Sequence, residues 1–183
     1  DRIEREAERL SELVGLVLTM ARLENARDVE RGEDVALDQL VLSVADDARF
    51  EAEGEERSVV VRETEPLRVR GNEEILRQAI ENVLRNAVRF TEKGTSVEIG
   101  MTQKGGEAEL TVRDHGPGVP EDALEEIFRP FTRLEAARDR ASGGAGIGLA
   151  ITERAVHLHR GTVRAANAEG GGLVVTLRLP LAV

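Results

Sequence analysis

Hydrophobic positions along the chain change period several times, and each change marks an element. Ile3, Leu10 and Val17 recur every seven residues, with Leu13 and Met20 at the alternate seam positions. The first 25 residues therefore read as one amphipathic helix, interrupted at Glu6. Such a stripe suits a helix packed on its own domain and equally one half of an intermolecular bundle. The period lapses over residues 26–34, a charged stretch with Gly32, which predicts a linker or hinge. Beyond it, residues 38–52 place Leu40, Val41, Val44 and Ala48 on one side of a helix. Residues 59–61 are a short β-branched run. Asn72 is placed to cap a long helix reaching Phe90, with Ile75, Leu76, Ala79, Ile80, Val83 and Ala87 at helical spacing. Val97, Ile99 and Met101 alternate, as do Ala108, Leu110 and Val112, around the hairpin signal Lys104, Gly105, Gly106. A further helix is expected over residues 148–159. Strands at 162–164 and 173–179, joined through the glycines at 170–172, close the chain. Hairpins mixed with helices predict an α+β sandwich, a mixed sheet covered by helices on one face.

Composition narrows the function. The 183 residues suit one ordinary domain with a helical appendage, and 40% hydrophobic residues supply a core. The chain has no Cys, which excludes a disulfide framework, a thiolate metal site and cysteine nucleophilic catalysis. No stretch approaches the roughly eighteen apolar residues of a membrane span, and the opening residues carry no signal-peptide pattern. A net charge of −10 argues against binding nucleic acid, and the absence of Trp and Tyr removes the usual base-stacking platforms. These features predict a soluble, acidic, intracellular domain.

Three runs carry candidate chemistry. In the helix ending at Phe90, Asn82 and Asn86 are four apart, and Arg89 and Phe90 follow on the same side. A carboxamide oxygen is a hard ligand suited to Mg²⁺ when phosphates supply the remaining charge. Such a face is also compatible with plain solvation. The second run, Asp114, His115, Gly116, Pro117, Gly118, follows a strand whose alternation carries the inward face onto Asp114. An inward carboxylate needs a donor, and an exocyclic amine such as that of adenine is one candidate. Gly116 and Gly118 let the backbone turn and a flat ring approach, although a simple turn has the same composition. The third run, 142–149, is glycine-rich and opens a helix, a ready anion site that lacks the Lys-Ser/Thr ending of a Walker loop. Between the second and third runs lie Ile127, Phe128, Phe131 and Arg133, then a polar stretch to Ser142. That composition predicts a mobile lid anchored by Phe128 and Phe131.

In order and spacing these runs resemble the catalytic and ATP-binding region of bacterial two-component sensor histidine kinases, over essentially the whole chain. Residues 82–90 match the family's N box and 114–118 its first glycine box. Residues 127–133 match its phenylalanine box and 144–149 its second glycine box. Residues 137–144 and 159–161 look most like envelope-stress sensor kinases of Gram-negative bacteria. The resemblance implies the Bergerat ATP-binding α/β sandwich over residues 31–183. It also implies, over residues 1–30, the second helix of the dimerisation and phosphotransfer hairpin with its linker. It implies ATP and Mg²⁺ as cofactors, with Asn86 as the metal ligand, Asn82 supporting it and Arg89 on the phosphates. Asp114 would accept from the adenine amine, with Gly116, Gly118 and Val119 along the base. Ile127 and Phe131 would border the site, and Arg133 with Gly144, Gly146, Ile147, Gly148 and Leu149 would hold the triphosphate end under the lid. Phe90 stands where the family usually has Tyr, so a ring contact is kept and a hydroxyl lost.

The family's acceptor histidine lies in an H box, and His115, His157 and His159 do not match one. All three read as structural or surface residues, and the chain reads as a fragment of a longer kinase. Its implied partners are an H-box hairpin of the same or a sister subunit, a response-regulator receiver domain, and a second copy in the full-length dimer. The implied location is the cytoplasmic part of an inner-membrane sensor kinase. The alternatives are a relative on the same fold that hydrolyses ATP, an anti-sigma serine kinase, or a binding module with a decayed pocket. Hydrolytic relatives carry a general-base Glu four residues before the metal-binding Asn. Here that position is Asn82, with Glu81 one residue off.

Overall fold

The computed structural model describes residues 32–132 and 146–182. The expected opening helix and linker, up to residue 31, and the stretch 133–145 lie outside the described residues. Strand β1 (Glu33–Ala36) runs straight into helix α1 (Leu37–Glu53). Strands β2 (Ser58–Thr64) and β3 (Arg68–Gly71) follow, then helix α2 (Glu73–Phe90). The hairpin β4 (Ser96–Lys104) and β5 (Glu107–Arg113) leads through two short 3-10 turns, Glu121–Ala123 and Glu126–Phe128. Helix α3 (Gly148–Leu158) and the hairpin β6 (Thr162–Asn167) and β7 (Leu173–Pro180) complete the domain.

The main sheet has the order β2-β4-β5-β7-β6. β2 and β4 are parallel, and the other neighbours are antiparallel. Alternation along the central strands buries Val97, Ile99 and Met101, then Ala108, Leu110 and Val112, then Leu173, Val175, Leu177 and Leu179. The helices cover that face, and α2 packs against both α1 and α3. The opposite face is polar: Arg62 meets Glu98 at 2.9 Å, and Arg178 meets Glu109 at 2.6 Å. The expected mixed sheet with helices on one face is therefore what the chain forms.

Helix α2 forms because local and tertiary signals agree. The Asn72 carboxamide accepts from the Ile75 N–H at 3.0 Å, Glu73 and Glu74 occupy the first turn, and Arg89 the last. Its buried stripe runs Leu76, Ala79, Ile80, Val83, Leu84, Ala87, Val88. Two expectations need correction. The predicted hinge ends earlier than its charge suggested, because Asp34 belongs to β1. There its carboxylate and carbonyl each accept from the Arg68 guanidinium at 2.8 Å. The partner strand β3 had no sequence signal, since its four residues hold one large apolar side chain, Val69. β2 extends to Thr64 and is longer than its β-branched run.

His159 ties the last turn of α3 to the start of α2. Its Nε2 accepts from the Asn72 N–H at 3.0 Å, so Nδ1 carries the proton and donates to the Ala155 carbonyl at 2.7 Å. A side chain at Gly71 would overlap this ring. Burial holds the imidazole below the usual histidine range, partly offset by the bond to Ala155. The unfolded chain takes up this proton as pH falls through about 6.5, the folded chain only at lower pH. The unfolded state therefore binds more protons in that window, and stability falls as pH drops through it. Urea unfolding at about pH 7.5 and about pH 5.5 should show a larger loss in wild type than in His159→Gln. An equal loss in both would contradict the role of this ring.

Candidate functional site

The site is built on the side of α2 that flanks its buried stripe, where Asn82, Asn86, Arg89 and Phe90 are all part-buried. From Asn82 to Phe90 the helix advances roughly 12 Å. The start of α3 lies against one end of this face: a Cβ added to Gly148 would stand 3.5 Å from the Cβ of Asn82. Buried Thr152 fixes that approach, with its hydroxyl 3.0 Å from the Ala79 carbonyl of α2 and 3.1 Å from the Gly148 carbonyl. The Nδ2 of Asn82 is buried there, with no hydrogen-bond partner among the described residues. Buried amides are rarely left so unless something else supplies the acceptor. Among the described residues no side chain caps α3, so the first-turn N–H groups at 148–150 face the same region with the positive end of the helix dipole.

The loop after β5 packs on the other end. Glu92 N–H donates to the His115 carbonyl at 3.3 Å, and His115 N–H donates to the Thr91 hydroxyl at 3.0 Å. The His115 ring Nδ1 stands 2.8 Å from the Ser96 carbonyl, so this histidine is structural. A side chain at Gly116 would overlap the Phe90 carbonyl, so glycine is required there by close packing. At Gly118 the requirement is conformational as well, with φ +72°. Two glycines that look alike in sequence thus answer different constraints.

Asp114 is only 4% exposed, as its place in the alternation predicts. Its Oδ1 accepts from the N–H of Gly116 at 2.8 Å and of Leu173 at 3.1 Å, while Oδ2 takes part in neither bond. Burial raises the carboxyl above its ordinary range, and the two backbone donors pull it back in part. The Arg89 guanidinium carbon stands 5.4 Å from the centroid of the half-buried Phe90 ring. The face thus offers an acceptor carboxylate at one end, carboxamides and a cation along it, and helix N–H groups at the other.

The structure brings Asn82, Asn86, Arg89, Phe90, Asp114, Gly116, Gly148 and the start of α3 around one helix face. Gly118 and Val119 continue the loop outward from Gly116. Ile127 is half-buried, and Phe128 is seated in the core. Phe131 is not buried as the expected anchor would be: it is 63% exposed, with φ +66°, and its N–H donates to the Gly146 carbonyl at 2.9 Å. That bond draws the end of the phenylalanine run to the start of α3, where Ile147 and Leu149 are buried. Arg133, Gly144 and the expected lid lie outside the described residues. Sequence reasoning missed Leu173 and Asn167. The first acts through its main chain, and the second is a lone polar residue at a strand end, so neither leaves a periodic signal.

Residues 71–183 match the family described as histidine kinase-, DNA gyrase B-, and HSP90-like ATPase. The sensor histidine kinase CpxA of Escherichia coli (strain K12) is 41% identical over 182 residues, 99% of this chain and 39% of that kinase. The sensor-like histidine kinase SenX3 of Mycolicibacterium smegmatis is 33% identical over 96% of this chain and 46% of its own. The chain thus spans less than half the length of these curated relatives. Among solved structures, full-length ShkA in complex with AMPPNP superposes with a TM-score of 0.81 at 30% identity, over 98% of this chain and 37% of its own. The mycobacterial sensor histidine kinase MprB gives 0.74 at 29% identity, over 81% of this chain and 98% of its own.

The packing reading of Gly116 is testable on the fold alone. Gly116→Ala should cost about 1–3 kcal/mol, because its methyl group must displace backbone. Gly54→Ala should stay within about 0.5 kcal/mol, since the nearest atom there is at an ordinary 3.7 Å. Urea denaturation compares the two, and equal stability would refute the close-packing requirement.

Proposed function

Because this chain belongs to the family of histidine kinase-, DNA gyrase B- and HSP90-like ATPases, and stands among its sensor histidine kinases, we propose that its α2 face is a Mg·ATP site serving phosphotransfer to histidine. The observation that carries this reading is the polarity of the face. A buried carboxylate whose two backbone bonds both fall on Oδ1 marks one end, and the Asn82 amide, without a partner among the described residues, marks the other beneath the start of α3. Such a face fits a ligand with an amine at one end and anionic oxygens at the other.

In this reading Asp114 accepts from the exocyclic amine of adenine, and Gly116, Gly118 and Val119 line the base. Phe90, Ile127 and Phe131 border the nucleotide. Arg89 meets the phosphates, the buried Asn82 amide donates to them, and the N–H groups of residues 146–149 receive their outer oxygens together with Arg133 and Gly144. Asn86 offers its carboxamide oxygen to Mg²⁺. Among the described residues no cluster of three or more His, Asp or Glu could hold a metal, so phosphate oxygens and water would complete its coordination. Bound there, the ion would supply charge that offsets what develops on the leaving group.

The chemistry is displacement at the γ-phosphorus. A histidine nitrogen of a separate hairpin forms the N–P bond as the bond to the β–γ bridging oxygen breaks and ADP leaves. The chain holds the triphosphate in line, which is positioning rather than covalent catalysis. The carboxamide of Asn82, four residues before Asn86, cannot take a proton from water as a carboxylate can, which favours transfer over hydrolysis. The hairpin belongs to the same or a sister subunit of a dimer, with residues 1–30 as its second helix and linker. The phosphoryl group then passes to a receiver domain. We place this unit on the cytoplasmic side of an inner-membrane sensor kinase; among the described residues no helix is long and apolar enough to cross a membrane.

The chain's own histidines are poorly placed as acceptors. His115 and His159 are committed to backbone partners. His157 lies nine residues beyond Gly148, roughly 13 Å along the helix. Incubated with labelled ATP and Mg²⁺, the chain alone should take up no acid-labile phosphate, yet it should label an added H-box hairpin. Labelling of its own histidine, or no labelling of the hairpin, would contradict the assignment.

Two substitutions separate the ends of the site. Asn86→Ala should lower hairpin labelling by about a hundredfold or more, at least what loss of an outer-shell partner costs a metal site. Asp114→Asn should cut the preference for ATP over GTP by about tenfold or more, because an acceptor-only group becomes one that also donates. Unchanged values in folded variants would remove these residues from their roles.

A further inference from the structure

We propose that Asn167, outside every motif of the site, is the positioning residue that holds the base-reading loop in its binding shape. The proposal rests on the reading that residues 114–119 line the base. Asn167 ends β6 and is the cross-strand partner of Leu173, the first residue of β7. The main chain of Leu173 grips the start of the loop. Asp114 N–H donates to its carbonyl at 2.9 Å, and its own N–H donates to Asp114 Oδ1 at 3.1 Å. The side chain of Asn167 grips the other end. Its Oδ1 accepts from Val119 N–H at 2.9 Å, and its Nδ2 donates to the Val119 carbonyl at 2.7 Å and to Glu121 Oε1 at 3.0 Å. One cross-strand pair therefore clamps both ends of the loop.

The carboxamide exchanges an acceptor and a donor with a single residue, as a neighbouring strand would. The loop has few other ways to be held. Pro117 and Pro120 carry no N–H, so Gly118 and Val119 supply every main-chain donor in between. Gly118 is shaped around the clamp, since a Cβ there would come within 2.7 Å of Asn167 Oδ1. The turn joining the clamp residues is equally tight. Ala168 N–H donates to the Gly172 carbonyl at 2.9 Å, and a side chain at Gly172 would overlap the Asp114 carbonyl.

Asn167 is itself exposed. Water can replace its bonds in the free protein, so its loss widens the loop's sampling more than it unfolds the domain. A ligand that needs the clamped loop then binds more weakly in proportion to the fraction of time the loop is competent. Because the base end alone is affected, ATP and ADP suffer alike.

Calorimetric titration of Mg·ATP and Mg·ADP into the chain tests this. Asn167→Ala should weaken both by about tenfold, as if the competent fraction fell to about a tenth. It should raise KM for ATP in hairpin labelling and leave kcat unchanged. Asn167→Asp keeps the acceptor for Val119 N–H but sets a carboxylate against the Val119 carbonyl and Glu121. It should bind at least as weakly, and adding Glu121→Gln should restore part of the affinity. If Asn167→Ala does not fold, Glu121→Ala carries the test and should weaken both nucleotides by a smaller, equal factor. Unchanged affinities in a folded Asn167→Ala, or a loss confined to ATP, would overturn the clamp. A wild-type chain that binds neither nucleotide would overturn the site reading itself and the clamp with it.

Discussion

Everything at the site depends on the rotation of α2 about its own axis, and burial fixes that rotation. Leu76, Ile80, Val83 and Leu84 are each no more than 2% exposed. Burying side chains of this size contributes about 1.5–3 kcal/mol each. Turning the helix by one residue, roughly 100°, would lift part of this stripe into water and bring Asn82 and Asn86 into the core. The hydrophobic face therefore aims the polar one. The two ends of that polar face are then defined by what packs on α2, the start of α3 at Asn82 and the loop after β5 at Phe90.

The loop's geometry is set by a second constraint, the cost of burying a carboxylate. Asp114 is removed from water by the same alternation that buries Val112, so its oxygens need donors. Gly116 and Leu173 N–H groups supply two to a single oxygen. That forces the chain to turn back immediately after β5 and brings Gly116 under the Phe90 carbonyl. Core packing, a buried charge and a backbone contact thus converge on one short segment. Its tolerance to substitution should be low for structural reasons before any ligand is considered.

Much of this was legible in the sequence, and the limits follow from what a linear pattern can carry. The period of α2 and the alternation of β4 and β5 are long, so the helix, the hairpin and the inward Asp114 could be read directly. β1 and β3 could not, because a pair of four-residue strands offers too few apolar positions to establish a period. Gly116 and Gly118 could be marked as special but not distinguished, since crowding and positive φ leave the same letter. Phe131 read as an anchor because aromatic residues usually bury; here the bond from its N–H to Gly146, with φ +66°, accompanies a ring left exposed. Asn167 was invisible because its partners lie 46 to 48 residues away.

Backbone amide mapping is the most direct test of a nucleotide site on the α2 face. AMPPNP with Mg²⁺ would be titrated into the isotope-labelled chain and the amide resonances followed. Gly116, Gly118 and Val119 should shift together with residues 147–149, while the pocket lined by Ala36, Gln39 and Arg77 stays still. The residues at 147–149 should respond more with Mg²⁺ than without it, because the ion acts at the phosphate end. Binding that leaves both the loop and the start of α3 unperturbed, or that shifts only residues elsewhere on the domain, would contradict the assignment.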